Sequence, residues 1–242
     1  MYFDSTLYKD EFINKDLLEI INYNLNNNLV EPYFQAIMDN RTLEIVKYEA
    51  LMRIFDKNGN ILMPNIFIHK AKKCRLYTKL MEILFDKIII YILKDNIHVS
   101  INLDYIDILN PQIKKSLISK IKEYEIGSFL TFEILESEKV SNFNMVNDFI
   151  KEVKKYGVKI AIDDFGTGFS NYENILNLDI DYIKIDGSLI KKIDEDIYLN
   201  LIKSIVLFAK QQNIKIVAEF VSDLKTLRYI RNIGIDFSQG YH

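Results

Sequence analysis

Cysteine, proline and glycine are scarce in this chain, and each scarcity excludes a class of protein. Cys74 is the single cysteine, which excludes an internal disulfide framework and a cysteine-rich zinc site and fits a reducing cytoplasm. With 8 glycines and 3 prolines in 242 residues, long disordered linkers are not expected. The composition therefore indicates an ordered globular domain.

Long apolar runs and an excess of positive charge are also missing. No stretch reaches the ~18 apolar residues of a transmembrane helix, and the first residues lack the pattern of a signal peptide. We therefore expect a cytoplasmic location, either as a free protein or as the cytoplasmic part of a membrane-attached one. The formal net charge of −3 provides no basic surface for long nucleic acid, so a phosphate ligand would have to be recognised locally.

Short β-rich segments alternate with longer helical patterns, which is typical of βα units around a parallel sheet. The predicted strands cover residues 30–37, 43–54, 97–103, 129–135, 158–163, 181–185, 214–220 and about 236–241. The predicted helices cover residues 17–29, 64–74, 76–93, 111–124, 144–156, 172–178, 194–212 and 223–233.

This alternation predicts a (β/α)8 barrel of the α/β class, a fold that suits a chain of 242 residues. The turn residues Asp39 and Asn40 predict a hairpin between the first two strands, so the first strand should run antiparallel. Residues 1–10 are predicted to form a linker or N-terminal extension, and residues 11–242 the barrel.

Polar residues recur on one face of the predicted strands. His98, Ser100 and Asn102 alternate with apolar residues, as expected when one strand face packs on helices and the other faces a barrel lumen. Each strand then ends in a hydrogen-bonding or charged group on its inward face. These groups are Glu49, Asn102, Glu133, Asp163, Lys184 and Glu219. Because barrel active sites lie at the carboxyl ends of the strands, we expect them to converge there.

Converging carboxylates repel one another unless protons or cations neutralise them. The candidate ligands offer oxygen atoms, without a histidine or cysteine cluster, which predicts a hard divalent cation such as Mg²⁺ or Mn²⁺. Two ions could share one cage and hold a phosphodiester for in-line attack. The predicted cage consists of Glu49, Asn102, Glu133, Asp163, Asp164 and Glu219.

A series of short motifs follows the predicted strand ends in chain order. They are Tyr48-Glu49-Ala50-Leu51 with Arg53, Asn102-Leu103, Glu133-Ile134-Leu135-Glu136, Asp163-Asp164-Phe165-Gly166-Thr167-Gly168-Phe169-Ser170, Lys184-Ile185-Asp186, Ala218-Glu219 and Gln239-Gly240-Tyr241. Together they resemble the EAL-domain cyclic di-GMP phosphodiesterases, and the resemblance runs from about Leu17 to the end of the chain.

The resemblance implies a role for each matching residue. The metal shell would be Glu49, Asn102, Glu133, Asp163, Asp164 and Glu219, and the catalytic residues Glu49, Lys184 and Glu219. Lys184 would hold the nucleophilic water, with Glu219 as the general base. The substrate would be positioned by Gln35, Arg53 and Gln239, with Leu51 near a guanine. Residues 164–171 match the family's loop over the active site, which is associated with dimerisation and metal binding, and Glu136 would anchor that loop.

The resemblance also implies an activity and partners. It implies metal-dependent hydrolysis of cyclic di-GMP to linear pGpG in bacterial second-messenger signalling, with two Mg²⁺ or Mn²⁺ ions. It further implies a homodimer, and a sensory or diguanylate cyclase domain in a longer parent chain.

Several positions depart from the family pattern. After Glu219 the chain reads Phe220-Val221-Ser222, where the family usually has Gly-Val-Glu. Ala36 and Leu135 replace a proline and a threonine. The family pattern also continues with a loop and helix beyond His242, which predicts a C-terminal truncation. None of these departures removes an implied metal ligand.

Other functions stay open at this point. The missing carboxylate at Ser222 and the bulk of Phe220 motivate a receptor that binds cyclic di-GMP without cleaving it. A more distant alternative is an enolase-type barrel, in which Lys184 would abstract a proton beside a metal-bound carboxylate. Taken singly, Asp163 and Asp164 could cap a turn and Lys184 could be a structural ion-pair partner. The convergence of many strand ends in one order favours the phosphodiesterase.

Overall fold

The computed structural model describes residues 5–135, 143–166 and 176–240. Its strands are β1 (Glu31–Asp39), β2 (Ile45–Phe55), β3 (Ile61–Leu62), β4 (Val99–Leu103), β5 (Leu130–Leu135), β6 (Lys159–Phe165), β7 (Tyr182–Ile185), β8 (Lys215–Ala218) and β9 (Phe237–Gln239). Its helices are α1 (Ser5–Asn26), α2 (Pro64–Lys73), α3 (Tyr77–Asp95), α4 (Tyr105–Leu109), α5 (Pro111–Tyr124), α6 (Phe143–Lys154), α7 (Gly187–Ile190), α8 (Asp196–Gln211) and α9 (Leu224–Ile233).

Two compact units make up the chain. One, here called the helical unit, consists of Met1–Tyr33 and Leu51–Ile90. The other, the barrel unit, consists of Phe34–Ala50 and Tyr91–His242.

The barrel unit contains a closed ring of strands. Their order is β1, β9, β8, β7, β6, β5, β4 and β2, and a pairing between β1 and β2 completes the ring. All neighbours from β2 through β4 to β9 pair in parallel. By contrast, β1 pairs antiparallel with β9, with Ile37 opposite Gln239. The predicted barrel and its antiparallel first strand are therefore confirmed.

Apolar side chains on alternate strand positions form the layer between the strands and the outer helices. Ile101, Phe132 and Ile160 are buried and lie opposite one another across β4, β5 and β6. The ring of Phe132 stacks on that of Phe149 in α6, with centroids 5.9 Å apart. Each such side chain contributes roughly 1.5–3 kcal/mol by leaving water. This apolar face leaves the alternate, polar positions of the same strands for the lumen.

The structure differs from the predicted elements mainly where segments are short. α4 and α7 were not predicted, because helices of 5 and 4 residues show no periodicity. Their sequence signals are the N-cap residues Asp104 and Asp186, whose side chains accept backbone N–H groups, and in α4 the capping-box residue Asp107. β8 ends at Ala218, two residues earlier than predicted. The predicted helix at 172–178 lies largely outside the described residues.

The helical unit is organised around Asn24 of α1, whose side chain is fully buried. Its Nδ2 donates to the carbonyl oxygens of Phe55 (2.7 Å) and Ile20 (2.8 Å), and its Oδ1 accepts from the Phe55 N–H at 2.9 Å. Asn24 thereby pairs both backbone groups of Phe55, the last residue of β2. None of the helices in the described ranges is long and apolar enough to cross a bilayer.

Replacing Asn24 by alanine should therefore destabilise the fold. The substitution leaves the part-buried N–H and C=O of Phe55 without their side-chain partner, which costs about 1–3 kcal/mol. Asn22 is the matched control, because it is exposed on the same helix and donates only to Leu18 O. Chemical denaturation should show a clear loss for Asn24→Ala and about 0.5 kcal/mol or less for Asn22→Ala. Equal losses would contradict the role given to Asn24.

Candidate active site

A buried lysine lies at the centre of the barrel unit's acidic residues. The Nζ of Lys184 lies 2.6 Å from Glu133 Oε2, 2.8 Å from Glu219 Oε1, 3.0 Å from Asp163 Oδ1 and 3.5 Å from Glu49 Oε2. The lysine side chain is only 1% exposed, and that of Glu133 is fully buried. One largely buried ammonium group therefore binds four carboxylates, of which those of Asp163 and Glu219 keep some exposure to solvent.

Five strands of the ring bring these side chains together. Glu49 belongs to β2, Glu133 to β5, Asp163 to β6 and Lys184 to β7, while Glu219 follows directly after β8. The strands are parallel neighbours, so their carboxyl ends open at the same end of the ring. The convergence predicted from the alternation of polar and apolar residues is thus present in the structure.

Amide side chains hold Glu49 in place. Asn102 Nδ2 donates to Glu49 Oε1 at 2.6 Å, and Gln239 Nε2 donates to Glu49 Oε2 at 2.6 Å. The same Gln239 group also donates to Gln35 Oε1 at 3.0 Å. Asn102, Gln35 and Gln239, all predicted as site residues, therefore reach the acidic cluster through Glu49.

Burial and crowding shift the pKa values of this cluster. Burial, with the nearby carboxylates Glu49 and Asp163, raises the pKa of Glu133 to about 7 and that of Glu219 to about 8, although Lys184 opposes both shifts. Burial disfavours the charged form of Lys184, but the surrounding carboxylates outweigh it and hold its pKa well above the usual value. For Glu49, burial is outweighed by Lys184 and the amide donors, so its pKa is lowered. The cluster has more negative charge than Lys184 can neutralise.

The donor set fits a divalent cation. Oxygen atoms of Asp163, Asp164 and Glu219 lie within 4.8 Å of one another. In addition, Glu133 Oε1 is buried and has no hydrogen-bond partner within the described ranges. Burial and the Asp163 charge raise the pKa of Asp164, as expected for carboxyl groups that share too little positive charge. Oxygen-only ligands with surplus negative charge suit Mg²⁺ or Mn²⁺.

Lys47 is a buried charge near this site that the sequence analysis did not single out. It precedes Glu49 by two residues on β2, and its Nζ lies 3.7 Å from the centre of the Tyr182 ring. Burial lowers the pKa of Lys47 to about 8, while Glu133 and Glu49 oppose that shift. The signal that could have found it is the two-residue period, which puts positions 47 and 49 on one strand face.

Not all predicted site residues can be placed beside the cluster. Leu51 and Arg53 belong to the helical unit, where Arg53 is buried, donates to Met52 O at 2.9 Å and lies 5.7 Å from the Tyr33 ring. Glu136 and residues 167–171 of the predicted loop lie outside the described residues. The roles given to all of these residues stay predictions.

Comparisons with known proteins agree with the motif pattern. The family model described as "EAL domain" matches residues 18–242. Cyclic di-GMP phosphodiesterase PdeA of Borreliella burgdorferi is 32% identical over 98% of this chain and 37% of its own length. The probable cyclic di-GMP phosphodiesterase PdeG of Escherichia coli K12 is 29% identical over 96% of this chain and 48% of its own length.

A solved structure supports the fold. The FimX EAL domain from Pseudomonas aeruginosa, bound to c-di-GMP, superposes with a TM-score of 0.86 at 21% identity and covers 93% of both chains. At that identity the likeness concerns the fold alone. The chain spans between about a third and a half of the length of the two curated relatives.

Removing the central ammonium group should destabilise the fold strongly. In Lys184→Met the carboxylates keep their burial but lose their counter-charge, which typically costs about 3–5 kcal/mol. Lys159→Met is the control, because Lys159 is half-exposed and pairs with Asp181 at 3.1 Å on the surface. Denaturation at pH 7.5 in EDTA should show the large loss only for Lys184→Met. Wild-type stability of that variant would contradict the central role of Lys184.

The metal-free protein should lose stability as the pH rises from about 5 to about 8. The pKa values of Glu133 and Glu219 are raised from the ordinary 4.5 to about 7 and about 8. In this window the folded chain holds protons that the unfolded chain has released, so the free energy of unfolding falls with rising pH. The lowered pKa of Glu49 acts in the opposite sense, but below this window.

Denaturation in EDTA at several pH values measures this effect. The variant Glu219→Gln should show a shallower fall than the wild type, because it removes one of the two raised groups. Identical pH profiles for the two proteins would show that Glu219 does not titrate as assigned.

Proposed function

Because the chain belongs to the EAL domain family, we propose that it hydrolyses cyclic di-GMP to linear pGpG with bound divalent cations. The observation that carries the proposal is the acidic cluster around Lys184, with four carboxylates contributed by or directly after four different strands. A substrate with two phosphodiesters is anionic and would be repelled by such a cluster unless cations lay between them.

Two Mg²⁺ or Mn²⁺ ions are the proposed cofactors. The residues that would hold them are Glu49, Asn102, Glu133, Asp163, Asp164 and Glu219. When bound, such ions supply the positive charge that neutralises both the carboxylates and a phosphodiester. The buried and unpartnered Glu133 Oε1 supports this assignment, because an unpaired carboxylate oxygen is costly in the interior.

The chain's own residues can handle the protons of a hydrolysis. We assign Lys184 to hold the attacking water, because its ammonium group lies among the carboxylates that are proposed to bind the cations. Glu219 is assigned as the general base, because its carboxylate lies 2.8 Å from the Lys184 ammonium group, next to the place proposed for that water. The water oxygen bonds to phosphorus and one of its protons passes to Glu219, while the bond from phosphorus to the 3′ oxygen breaks. The 3′ oxygen takes up one proton from solvent and Glu219 returns one to solvent, so that the step balances.

The remaining site residues are proposed to position the substrate. Gln239 has a buried Oε1 without a hydrogen-bond partner among the residues described, which leaves an acceptor beside Glu49. Gln35 shares the donor group of Gln239. Leu51 and Arg53 are proposed to contact the nucleotide, Glu136 to anchor the loop at 164–171, and the whole protein to form a homodimer.

A receptor that binds cyclic di-GMP without cleaving it is the second candidate. The observation that favours it is Ser222, which stands where the family usually has a carboxylate. Its hydroxyl group lies 3.4 Å from Asp223 Oδ2, in the N-cap of α9, rather than in the acidic cluster.

Incubation with cyclic di-GMP and Mg²⁺ or Mn²⁺, followed by chromatography of the nucleotides, tests the proposal. We expect pGpG to accumulate, EDTA to stop it, and Glu49→Gln to lower the rate by about a hundredfold or more, the scale of losing one charge-stabilising group. Glu44→Gln is the matched control, because Glu44 is an exposed acid in the same hairpin. It should keep the wild-type rate.

Two other results would contradict the proposal. Measurable binding of cyclic di-GMP with intact nucleotide would make the protein a receptor. Full activity of Glu49→Gln would remove Glu49 from the site.

A further inference from the structure

Just after β8, two backbone N–H groups that are two positions apart donate to different neighbouring strands. The N–H of Glu219 donates to Ile185 O of β7 at 3.1 Å, whereas the N–H of Val221 donates to Gln239 O of β9 at 3.0 Å. Phe220, between them, has φ +52. The turn at Phe220 therefore connects two residues of the cluster: Glu219, and Gln239 through its backbone.

A left-handed conformation is expensive for phenylalanine. The side chain crowds the following carbonyl group, a repulsion that glycine lacks. Glycine would adopt the same φ without this penalty. A phenylalanine keeps this conformation only where the surrounding contacts hold it.

Its ring is held from two sides although Phe220 is 53% exposed. At Gly187, the first residue of α7, a Cβ atom would lie 2.2 Å from the ring atom Cδ2, so the ring occupies the space that a side chain would need. On the ring face, Lys191 Nζ lies 4.4 Å from the centroid, a distance typical of a cation–π contact. The ring thereby ties the turn after β8 to the turn after β7.

We propose that Phe220 is a positioning residue: its ring, packed against Gly187, locks the left-handed turn and fixes the Glu219 carboxylate beside Lys184. The packing of the ring against Gly187 supports the fixed turn, whereas the effect of this turn on cation binding rests on the proposed function. Residues that orient metal ligands typically change metal affinity by about 10–100-fold when they are replaced.

Four variants of the full chain separate the ring from the backbone strain. Phe220→Gly removes both the ring and the strain, and Phe220→Ala removes only the ring. Gly187→Ala keeps the phenylalanine but fills its space, and Phe220→Tyr keeps the ring. The affinity for Mn²⁺, measured by calorimetric titration, should fall about tenfold or more in the first three variants. It should stay at the wild-type value in Phe220→Tyr, which keeps the ring. Retained affinity in Phe220→Gly would overturn the proposed link to Glu219.

Amide hydrogen exchange tests the lock without any ligand. The N–H groups of Glu219 and Val221 should exchange at least about tenfold faster in Phe220→Gly and Gly187→Ala, while amides in β4 and β5 stay unchanged. Unchanged protection at Glu219 and Val221 would overturn the lock. If the wild type binds no Mn²⁺ and cleaves no cyclic di-GMP, the proposed function fails, and the exchange rates alone decide the role of Phe220.

Discussion

The acidic cluster depends on the ammonium group of Lys184. Buried carboxylates repel one another by an amount that grows as the surrounding dielectric constant falls. The strands of a barrel can bring such groups close if a positive charge or protons neutralise them, and Lys184 Nζ lies within 3.5 Å of all four. The lysine is therefore a condition for folding this site as well as a candidate for its chemistry.

One ammonium group still leaves the cluster too negative, and this imbalance has consequences for both stability and binding. The raised pKa values of Glu133 and Glu219 show that the metal-free fold takes up protons in place of missing positive charge. A divalent cation would replace those protons. The same crowding that costs stability without a ligand is thus what gives the site its affinity for cations.

Much of this arrangement could be predicted from the sequence because strands have a period of two. That period identifies which side chains face the lumen, and the chain order of the strands places Glu49, Glu133, Asp163 and Lys184 at one end. The period of two gives no interatomic distances, so the contacts of Lys184 with four carboxylates could not be predicted. The same period puts Lys47 on the face of Glu49, but it does not show that the lysine is buried, and Lys47 was not singled out.

Shorter elements escaped prediction for a different reason. α4 and α7 have 5 and 4 residues, fewer than two helical turns, so hydrophobic periodicity cannot reveal them. The end of β8 was placed too late because Phe220 has high β propensity, and propensity does not register a positive φ imposed by the fold. Tertiary contacts, here with Gly187 and Lys191, decided the conformation.

Two residues of the site, Asp164 and Phe220, have a positive φ that their sequence propensity does not predict. Asp164, with φ +55, comes directly after Asp163, and Phe220, with φ +52, comes directly after Glu219. A strand that continued straight would direct alternate side chains along the lumen wall and away from its open end. A left-handed residue immediately after each carboxylate interrupts the regular strand geometry: the pairing of β6 with β7 shifts register between Ile162 and Phe165, and β8 ends at Ala218. The two carboxylates meet at Lys184. The strain after each acid is therefore part of how the barrel concentrates its charge.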